Sequence, residues 1–520
     1  MQKEITFYLS PEEAANSDVY INYLSQFTGV KKTQISYFRL LKRTIDARSR
    51  NIKIHLTFEV FIDELPPQII TEKRKYIDVS NKKAVVIVGA GPAGLFAALK
   101  LIELGIKPVI IERGKDVHTR KLDIASLNRE NLMNEESNYC FGEGGAGTFS
   151  DGKLYTRSTK RGNVKEILDI LIEHGASEEI CIDAHPHIGT DKLPKIISNI
   201  RETIVNCGGE YHFNSKVTDL IIENSIIRGV VTNNKDSYFG ESVILATGHS
   251  ASDVYHLLQE KKVALEVKPF AIGVRVEHQQ QLIDSIQYHQ PERGNLLPAA
   301  SYNVIQQVEG RGVFSFCMCP GGIIVPASTG KEQVVVNGMS NSQRNSPFAN
   351  AGIVVGLEVE DFSQYSEYGA LAGLYFQSAI EKAAFNAGGK TQTAPAQRMV
   401  DFVNDRTSAN LPPTSYIPGI VSASIKEILP HFITSRLKLA FKEFNNKMKG
   451  FYTNEAVLLG VETRTSSPVR IPRDKETLEH IQIKNLFPCG EGSGYAGGIV
   501  SSAIDGVRCA EKVVERINNK

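Results

Sequence analysis

Apolar and polar residues alternate near the start of the chain, in the stretch NIKIHLTFEVFI. A period of two places one side of a strand against a core, so the stretch predicts a half-buried strand. The inward positions of this strand are Ile52, Ile54, Leu56, Phe58, Val60 and Ile62. The preceding segment has helical spacing and predicts an amphipathic helix with an apolar face of Ile35, Phe38, Leu41 and Ile45. Together these elements predict a small N-terminal α/β domain over residues 1–78.

A different pattern follows residue 78, where short aliphatic runs end in glycine-rich turns. Such runs occur in VVIVGAG, KPVIIERG, ESVILATG and NLFPCGEG. Strands that are apolar on both faces are typical of a parallel sheet covered by helices. One helix is predicted in KLPKIISNIRETIVN, which a pair of glycines terminates. The pattern therefore predicts an α/β fold.

The first aliphatic run leads into Gly89, Gly91 and Gly94. In a dinucleotide-binding turn these glycines permit the tight turn, the approach of the backbone to the pyrophosphate and the close packing of the helix. Pro92 suits the first helical turn because its fixed φ is already helical. Glu112 ends the next run, near the ~20-residue offset at which an acid accepts hydrogen bonds from the adenosine ribose. These residues predict a Rossmann-like FAD/NAD(P)-binding domain.

Two later stretches distinguish FAD from NAD. One closes on Ala246, Thr247 and Gly248, and the other is the acidic glycine loop GEGSGYAGG before a helix of small residues. With the first loop they resemble the glutathione-reductase-type flavoproteins, which bind FAD in an extended conformation. The resemblance implies that Glu491 holds the ribityl chain, where aspartate is usual, and that the helix after Gly498 directs its N-terminus at the flavin pyrimidine.

The two ends of the predicted FAD site lie in distant parts of the sequence, so another domain is inserted between them. We predict an FAD-binding domain formed by residues 79–267 and 453–520. The inserted segment, residues 268–452, is predicted to be an α+β substrate domain. No second strand–glycine–helix motif occurs, so the sequence predicts no dedicated nicotinamide domain.

Longer motifs match one bacterial family more specifically. They are LKRTIDAR (41–48), FGEGGAGTFSDGKLYTR (141–157), PHIGTDKL (186–193), FCMCPGG (316–322), ETRTSSPVRIPRD (462–474) and GEGSGYAGGI (490–499). Together they resemble the uncharacterised bacterial FAD-dependent dehydrogenases over nearly the whole chain. The resemblance implies FAD binding and oxidoreductase chemistry, and it implies no particular substrate.

FAD is the predicted cofactor, and no metal site is predicted. The motif at 141–157 is a second phosphate-loop candidate because bare glycine backbone can lie against a cofactor; the alternative is a flexible surface loop. The predicted FAD-contacting residues are Gly89, Gly91, Pro92, Ala93, Gly94, Glu112, Arg113, Gly144, Gly145, Gly147, Thr148, Asp151, Lys153, Val217, Ala246, Thr247, Gly248, Gly490, Glu491, Gly497, Gly498 and Ile499.

The predicted catalytic residues are Arg464, Glu462 and His187. If ETRTSSPVR is extended, Glu462 and Arg464 share a face, and Glu462 would orient the guanidinium toward the flavin or an anionic substrate group. The alternative is an exposed edge strand or loop. His187 is a proton-transfer candidate, with capping or packing as the alternative. Cys317 and Cys319 would share one face of a strand and are interpreted as buried or substrate-lining thiols.

The composition argues against a protein that associates with nucleic acid or with membranes through its overall charge or apolar segments. The chain of 520 residues has 59 Lys plus Arg against 58 Asp plus Glu, so no global field attracts it to nucleic acid or an anionic membrane. No apolar run reaches the ~20 residues that span a bilayer. Seven cysteines without a disulfide-framework spacing are typical of a reducing compartment. We therefore expect a cytoplasmic protein without a membrane partner.

A local basic cluster is the exception to this charge balance. The segment from Lys31 to Lys53 has Asp46 as its single acid, and its other basic residues are Lys32, Arg39, Lys42, Arg43, Arg48 and Arg50. Such a cluster is either a nucleic-acid face or, more often, the solvated side of an amphipathic helix.

The sequence as a whole predicts an FAD-dependent oxidoreductase that acts on an unidentified small molecule, with an unknown electron donor or acceptor. Nucleic acid is not expected as a partner. Two alternatives remain open, an RNA-modification flavoprotein that uses the basic N-terminal module and a non-enzymatic flavin-binding or sensor protein.

Overall fold

The computed structural model describes residues 1–67, 74–156 and 162–519, so Arg157 of the glycine-rich motif lies outside the described residues. The strands are β1 (Gln2–Leu9), β2 (Ile35–Asp46), β3 (Lys53–Ile62), β4 (Ala84–Val88), β5 (Lys107–Ile111), β6 (Glu210–His212), β7 (Val217–Glu223), β8 (Ile226–Thr232), β9 (Ser237–Phe239), β10 (Val243–Leu245), β11 (Glu266–Val267), β12 (Ala271–Gln279), β13 (Ile305–Val308), β14 (Arg311–Cys319), β15 (Ile323–Pro326), β16 (Val336–Met339), β17 (Phe348–Gly356), β18 (Ala394–Arg398), β19 (Ile420–Ser422), β20 (Val457–Glu462), β21 (Val469–Arg470) and β22 (Leu486–Pro488).

The described residues also form α-helices. They are α1 (Pro11–Ala14), α2 (Tyr20–Thr28), α3 (Pro92–Glu103), α4 (Arg120–Glu130), α5 (Val164–Glu173), α6 (Leu193–Asn206), α7 (Ser252–Glu260), α8 (Gln280–Tyr288), α9 (Ala372–Ala387), α10 (Met399–Val403), α11 (Ile425–Ile428), α12 (His431–Lys447) and α13 (Ile499–Asn518). Short 3₁₀ segments lie at Ser17–Val19, Lys32–Gln34, Gly145–Gly147, Glu178–Cys181 and Val359–Leu371.

A five-stranded parallel sheet, in the order β22-β10-β4-β5-β6, forms the nucleotide-binding half of the molecule. Strands β4, β5, β10 and β22 are almost entirely buried, as the aliphatic runs predict, and the edge strand β6 is half-buried. Helices α3, α5, α6 and α13 contribute to the hydrophobic cluster on one face. Because the strands are parallel, their carboxyl ends meet at one edge, and the predicted glycine-rich loops all leave the sheet there.

A seven-stranded sheet, in the order β13-β14-β17-β12-β20-β18-β19, forms the second domain. Its neighbouring strands are antiparallel except for β18 and β19. Strand β20 pairs with β12 and β18, so this sheet includes residues beyond the predicted boundary at 452. The chain leaves the sheet only after Glu462, which brings the motif ETRTSSPVR to the junction of the two domains.

The N-terminal domain is a three-stranded antiparallel sheet in the order β1-β3-β2. The half-buried strand predicted at 52–62 is present as β3. The helix predicted from Ile35 to Ile45 is wrong, because this segment is strand β2. Two register shifts interrupt the pairing of β2 with β3. Each bulge adds a residue and breaks the period of two, so the apolar residues fall at spacings that resemble a helix.

The N-terminal sheet shares its hydrophobic core with the second domain. Phe7, Leu56 and Phe58 belong to the same cluster of buried residues as strands β12 and β17. Arg43 also reaches the nucleotide-binding half, where its Nε lies 2.8 Å from Asp183. The first 67 residues therefore pack against both other parts of the chain. No helix in the described ranges is both long and apolar enough to cross a membrane.

Candidate functional site

A pocket with a volume of about 710 Å³ lies between the carboxyl edge of the parallel sheet and the second domain. Its size is within the range of natural ligand and cofactor sites. The nucleotide-side wall consists of the loops after β4, β5, β10 and β22, and the opposite wall consists of residues from β14, β16 and the segment after β20. One continuous pocket thus joins the dinucleotide loops to the second domain.

The loop from β4 to α3 has the geometry that a dinucleotide-binding turn requires. Gly89 has a φ of 103°, and a Cβ atom there would lie 2.5 Å from the Ala246 carbonyl oxygen. A Cβ on Gly94 would lie 2.0 Å from the carbonyl oxygen of Gly89, so the third glycine is needed for close packing. Gly91 caps α3 without a side-chain hydrogen bond. The free N–H groups of this helix end are a site for a diphosphate.

Glu112 joins three segments of the nucleotide side. Its carboxylate accepts hydrogen bonds from the backbone N–H groups of Ala90 at 2.9 Å, Gly114 at 2.9 Å and Gly142 at 3.1 Å. The side chain is buried and still lines the pocket. A carboxylate has about four lone-pair directions, so one remains for a ribose hydroxyl. Glu112, the acid predicted to bind the ribose, therefore links these three backbone segments and also faces the pocket.

Residues 141–149 of the glycine-rich motif form a packed loop rather than a flexible one, with Phe141 and Phe149 buried. Gly145 and Gly147 line the pocket beside α3, whereas Gly144 and Thr148 lie behind them. The Thr148 hydroxyl donates to the carbonyl of Glu143 at 3.0 Å. Arg120, which sequence reasoning missed, is fully buried and donates to five backbone carbonyls of the segment 138–145.

The N-terminus of α13, predicted to face the flavin, lies at the pocket. Gly497, Gly498 and Ile499 line it, and a Cβ atom on either glycine would meet no atom within 4 Å. Glu491 also lines the pocket, and one of its carboxylate oxygens lies 3.1 Å from Nδ1 of His249. Bare glycine backbone facing open space, beside an uncapped helix end, fits a bulky cofactor.

Most predicted FAD-contacting residues meet at this one pocket. Four lie just behind its wall as supports, namely Gly94, Gly144, Thr148 and Gly490. The backbone N–H of Gly490 donates to Asp505 at 2.8 Å, and Asp505 in turn pairs with Arg473 at 2.6 Å. The residues that line it are Gly89, Gly91, Pro92, Ala93, Glu112, Arg113, Gly145, Gly147, Asp151, Lys153, Val217, Ala246, Thr247, Gly248, Glu491, Gly497, Gly498 and Ile499.

The predicted pairing of Glu462 with Arg464 is wrong. Glu462 instead pairs with the fully buried Arg275 at 2.8 Å and does not line the pocket. Arg464 does line the pocket, but its guanidinium is held by both carboxylate oxygens of Glu381, at 3.0 and 2.9 Å. The chain leaves the sheet after Glu462, so the two side chains do not share a strand face.

His187 is also placed differently from the prediction. It lies outside the pocket wall, and its Nε2 is 3.2 Å from the carbonyl oxygen of Ser342. Burial and the neighbouring Arg344 lower the pKa of His187, so the imidazole is neutral at pH 7. This geometry favours the packing alternative. The neighbouring residues that line the pocket are Pro186 and His185, and His185 is exposed and contacts Tyr155 edge to face.

Both thiols of FCMCPGG line the pocket, although a bulge separates their environments. Cys317 has a φ of 42° and is open to the pocket, whereas Cys319 is buried. The bulge directs the Cys317 carbonyl to Arg275 at 2.6 Å and the Met318 carbonyl to Lys153. Although Cys317 is exposed to the pocket, the protein around its thiol limits solvation of the thiolate, and this desolvation raises the pKa of Cys317 to about 12. The two residues are therefore lining thiols rather than activated nucleophiles.

Arg344 also lines the pocket, and it lies beside Asp151. Arg344 donates from Nε and Nη2 to the Asp151 carboxylate at 3.1 and 2.6 Å. Lys153 Nζ lies 3.7 Å from the same carboxylate. Although burial opposes it, these cations keep the pKa of Asp151 below its usual value. Asp151 and Lys153, predicted as cofactor contacts, thus lie on the side of the pocket that faces the second domain.

Known families account for these features. Residues 82–122 match an FAD binding domain, and residues 269–465 match the C-terminal domain of FAD-dependent proteins. Residues 1–61 match a domain of unknown function. These matches and the glycine-lined pocket define the class: this is an FAD-dependent protein, and FAD is its cofactor.

An uncharacterised protein from Clostridium beijerinckii is 40% identical over 508 residues, which cover 94% of this chain and 94% of that protein. The chain belongs to the family of this clostridial protein. The tRNA uridine 5-carboxymethylaminomethyl modification enzyme MnmG of Alkaliphilus metalliredigens is 27% identical over 32% of this chain and 24% of that protein. A geranylgeranyl bacteriochlorophyll reductase-like structure from Thermoplasma acidophilum shares 14% identity over 84% of this chain and 79% of that chain, with a TM-score of 0.36.

Proposed function

We propose that the chain is an FAD-dependent oxidoreductase and that its small-molecule substrate binds at the second-domain end of the pocket. The observation that carries the proposal is the continuity of the pocket. It extends from the dinucleotide turn to Lys153, Cys317 and Arg464, well beyond the loops that would hold FAD. When bound, FAD supplies the hydride or electron-transfer chemistry, so the protein has to position the substrate and supply charge.

The protein side of this chemistry consists of binding and orientation. The α3 N-terminus would bind the diphosphate, Glu112 the ribose, and the α13 N-terminus the flavin end. The wall formed by β14 and β16 would exclude water from the opposite side. The finer assignment as a dehydrogenase of the glutathione-reductase type rests on the sequence resemblance.

A pocket-blocking variant tests the proposal. Asn303 lines the second-domain end, so Asn303→Trp should leave FAD bound and abolish substrate-dependent flavin reduction. Asn234, in an exposed turn, provides the matched control Asn234→Trp, which should behave as the wild type. Small molecules that co-purify with the wild-type protein would be the first substrates to assay. A protein whose flavin never exchanges electrons with any co-purifying compound would contradict the proposal and favour a sensor.

The RNA alternative finds less support in the structure. Three of the basic N-terminal side chains are paired with acids, in Arg39–Glu59, Arg43–Asp183 and Arg48–Asp46. Salt-sensitive RNA binding through the first 67 residues would nevertheless restore this alternative.

A further inference from the structure

His249, in the loop after β10, is hydrogen-bonded to a carboxylate from the loop after β22. Its Nδ1 lies 3.1 Å from Oε2 of Glu491, and both residues line the pocket. An ionised carboxylate only accepts hydrogen bonds, so Nδ1 carries the proton of the neutral imidazole. The other ring nitrogen, Nε2, is then a hydrogen-bond acceptor.

Nε2 of His249 is accessible and has no partner within the described residues. The hydrogen bond to Glu491 is the only one that this side chain makes there. Nε2 is not enclosed by protein, in contrast to the hydroxyl of the neighbouring Ser250, which is buried without a partner. The side chain is 13% exposed and lines the pocket, so this nitrogen is available to a ligand.

Close backbone contacts fix the loop that carries His249. A Cβ atom on Gly89 would lie 3.3 Å from Cα of Thr247. On the other side, a Cβ atom on Gly492 would lie 2.3 Å from the carbonyl oxygen of Gly248. The loop is therefore held between the dinucleotide turn and the loop of Glu491, which places the imidazole at a defined position on the pocket wall.

The order of the strands places His249 beyond the diphosphate, on the flavin side. The strands β5, β4, β10 and β22 are successive neighbours in the parallel sheet, about 4.8 Å apart. Glu112 follows β5, the N-terminus of α3 follows β4, and His249 follows β10. An extended FAD with its ribose at Glu112 and its diphosphate at α3 therefore continues toward His249 with its ribityl chain.

Building on this placement of FAD, which is part of the proposed function, we propose that Nε2 of His249 accepts a hydrogen bond from a ribityl hydroxyl and that Glu491 orients the imidazole. A hydroxyl suits this position because it donates to a neutral imidazole, whereas a phosphate oxygen without a proton only accepts. The sequence resemblance implies that Glu491 itself holds the ribityl chain. Here His249 makes this contact, and Glu491 is a positioning residue.

ADP tests the assignment because it carries the adenosine and the diphosphate of FAD but no ribityl chain. His249→Phe should weaken FAD binding about three- to tenfold, through the loss of one neutral hydrogen bond, and leave ADP binding unchanged. Flavin fluorescence on dilution of the holoprotein measures FAD release, and its rise on addition of ADP measures displacement. His118→Phe, at an exposed histidine outside the pocket, is the matched control and should change neither affinity.

A double-mutant cycle tests the positioning role of Glu491. Glu491→Ala should weaken FAD binding about as much as His249→Phe, and the double variant should bind no more weakly than either single variant. Glu491→Gln should keep most of the affinity, because its amide oxygen still accepts a hydrogen bond from Nδ1. Additive losses in the double variant would show that Glu491 contacts FAD by itself and would overturn the positioning role.

The same titrations contain the results that would overturn the ribityl contact. Wild-type FAD affinity in His249→Phe, or equal losses of FAD and ADP affinity, would exclude it. Glu112→Gln should weaken FAD and ADP together, because the ribose belongs to both ligands. If Glu112→Gln weakens neither, the placement of FAD itself fails, which distinguishes this failure from that of His249. These equilibria do not depend on turnover, so they are independent of the flavin-reduction assay.

Discussion

The guanidinium of Arg464 is held by both oxygens of the Glu381 carboxylate, with Nη2 and Oε2 separated by 2.9 Å. Glu381 comes from α9, and the pair is almost completely buried. Thr463 donates to the same carboxylate at 2.7 Å. The pair therefore fixes the segment after β20 against the second domain and forms part of the pocket wall.

Breaking this pair from one side should destabilise the protein strongly. Arg464→Met leaves the Glu381 carboxylate buried without its cation, which costs about 3–5 kcal/mol. The double variant Arg464→Met with Glu381→Leu removes both charges and should recover most of that loss. Urea unfolding of the wild type, the two single variants and the double variant measures the coupling. If Arg464→Met alone is as stable as the wild type, the pair does not hold the segment.

Glu112 should be required for FAD retention. In Glu112→Gln an amide NH₂ group replaces one carboxylate oxygen. Both oxygens of Glu112 accept hydrogen bonds from backbone N–H groups, so in either orientation the new NH₂ donor faces another donor. We expect FAD affinity to fall about tenfold or more, because charged acceptors contribute about 1.5–3 kcal/mol. Flavin fluorescence on dilution measures the release. Glu103→Gln, at the far end of α3, is the control, and equal FAD retention in the two variants would contradict the assignment.

Glu143 should make stability depend on pH. Burial raises its pKa from an ordinary value of 4.5 to about 7, so the folded protein binds this proton more tightly than the unfolded chain. Stability should therefore fall as the pH rises from 4.5 to 7, by about 3 kcal/mol from this group alone. Glu143→Gln mimics the protonated acid and should lose less stability than the wild type between pH 5 and pH 8. Identical pH profiles of unfolding would show that Glu143 is ionised throughout.

A side chain at position 497, in place of Gly497, should leave folding unchanged and weaken FAD binding. A Cβ there meets no atom within 4 Å, and the space it would enter is the pocket. Gly497→Val should thus fold normally and bind FAD more weakly. Gly356→Val is the control, because a Cβ on Gly356 makes only an ordinary contact at 3.6 Å, outside the pocket. Thermal unfolding and flavin content measure the two effects, and full flavin content in Gly497→Val would exclude α13 from the cofactor site.

The sequence alone predicted the parallel nucleotide-binding sheet, and most of the residues that it predicted as FAD contacts line one pocket. Those residues act through backbone geometry that local sequence encodes, since Gly89 must adopt a positive φ and Pro92 must begin a helix. The same local logic failed at β2, where bulges give a strand an apolar spacing close to that of a helix.

Only the tertiary structure decided which charges meet. Glu462 and Arg464 are two residues apart, yet their partners are Arg275 and Glu381, which lie far away in the sequence. Pairing of buried charges depends on which elements pack together, and no periodicity within one segment contains that information.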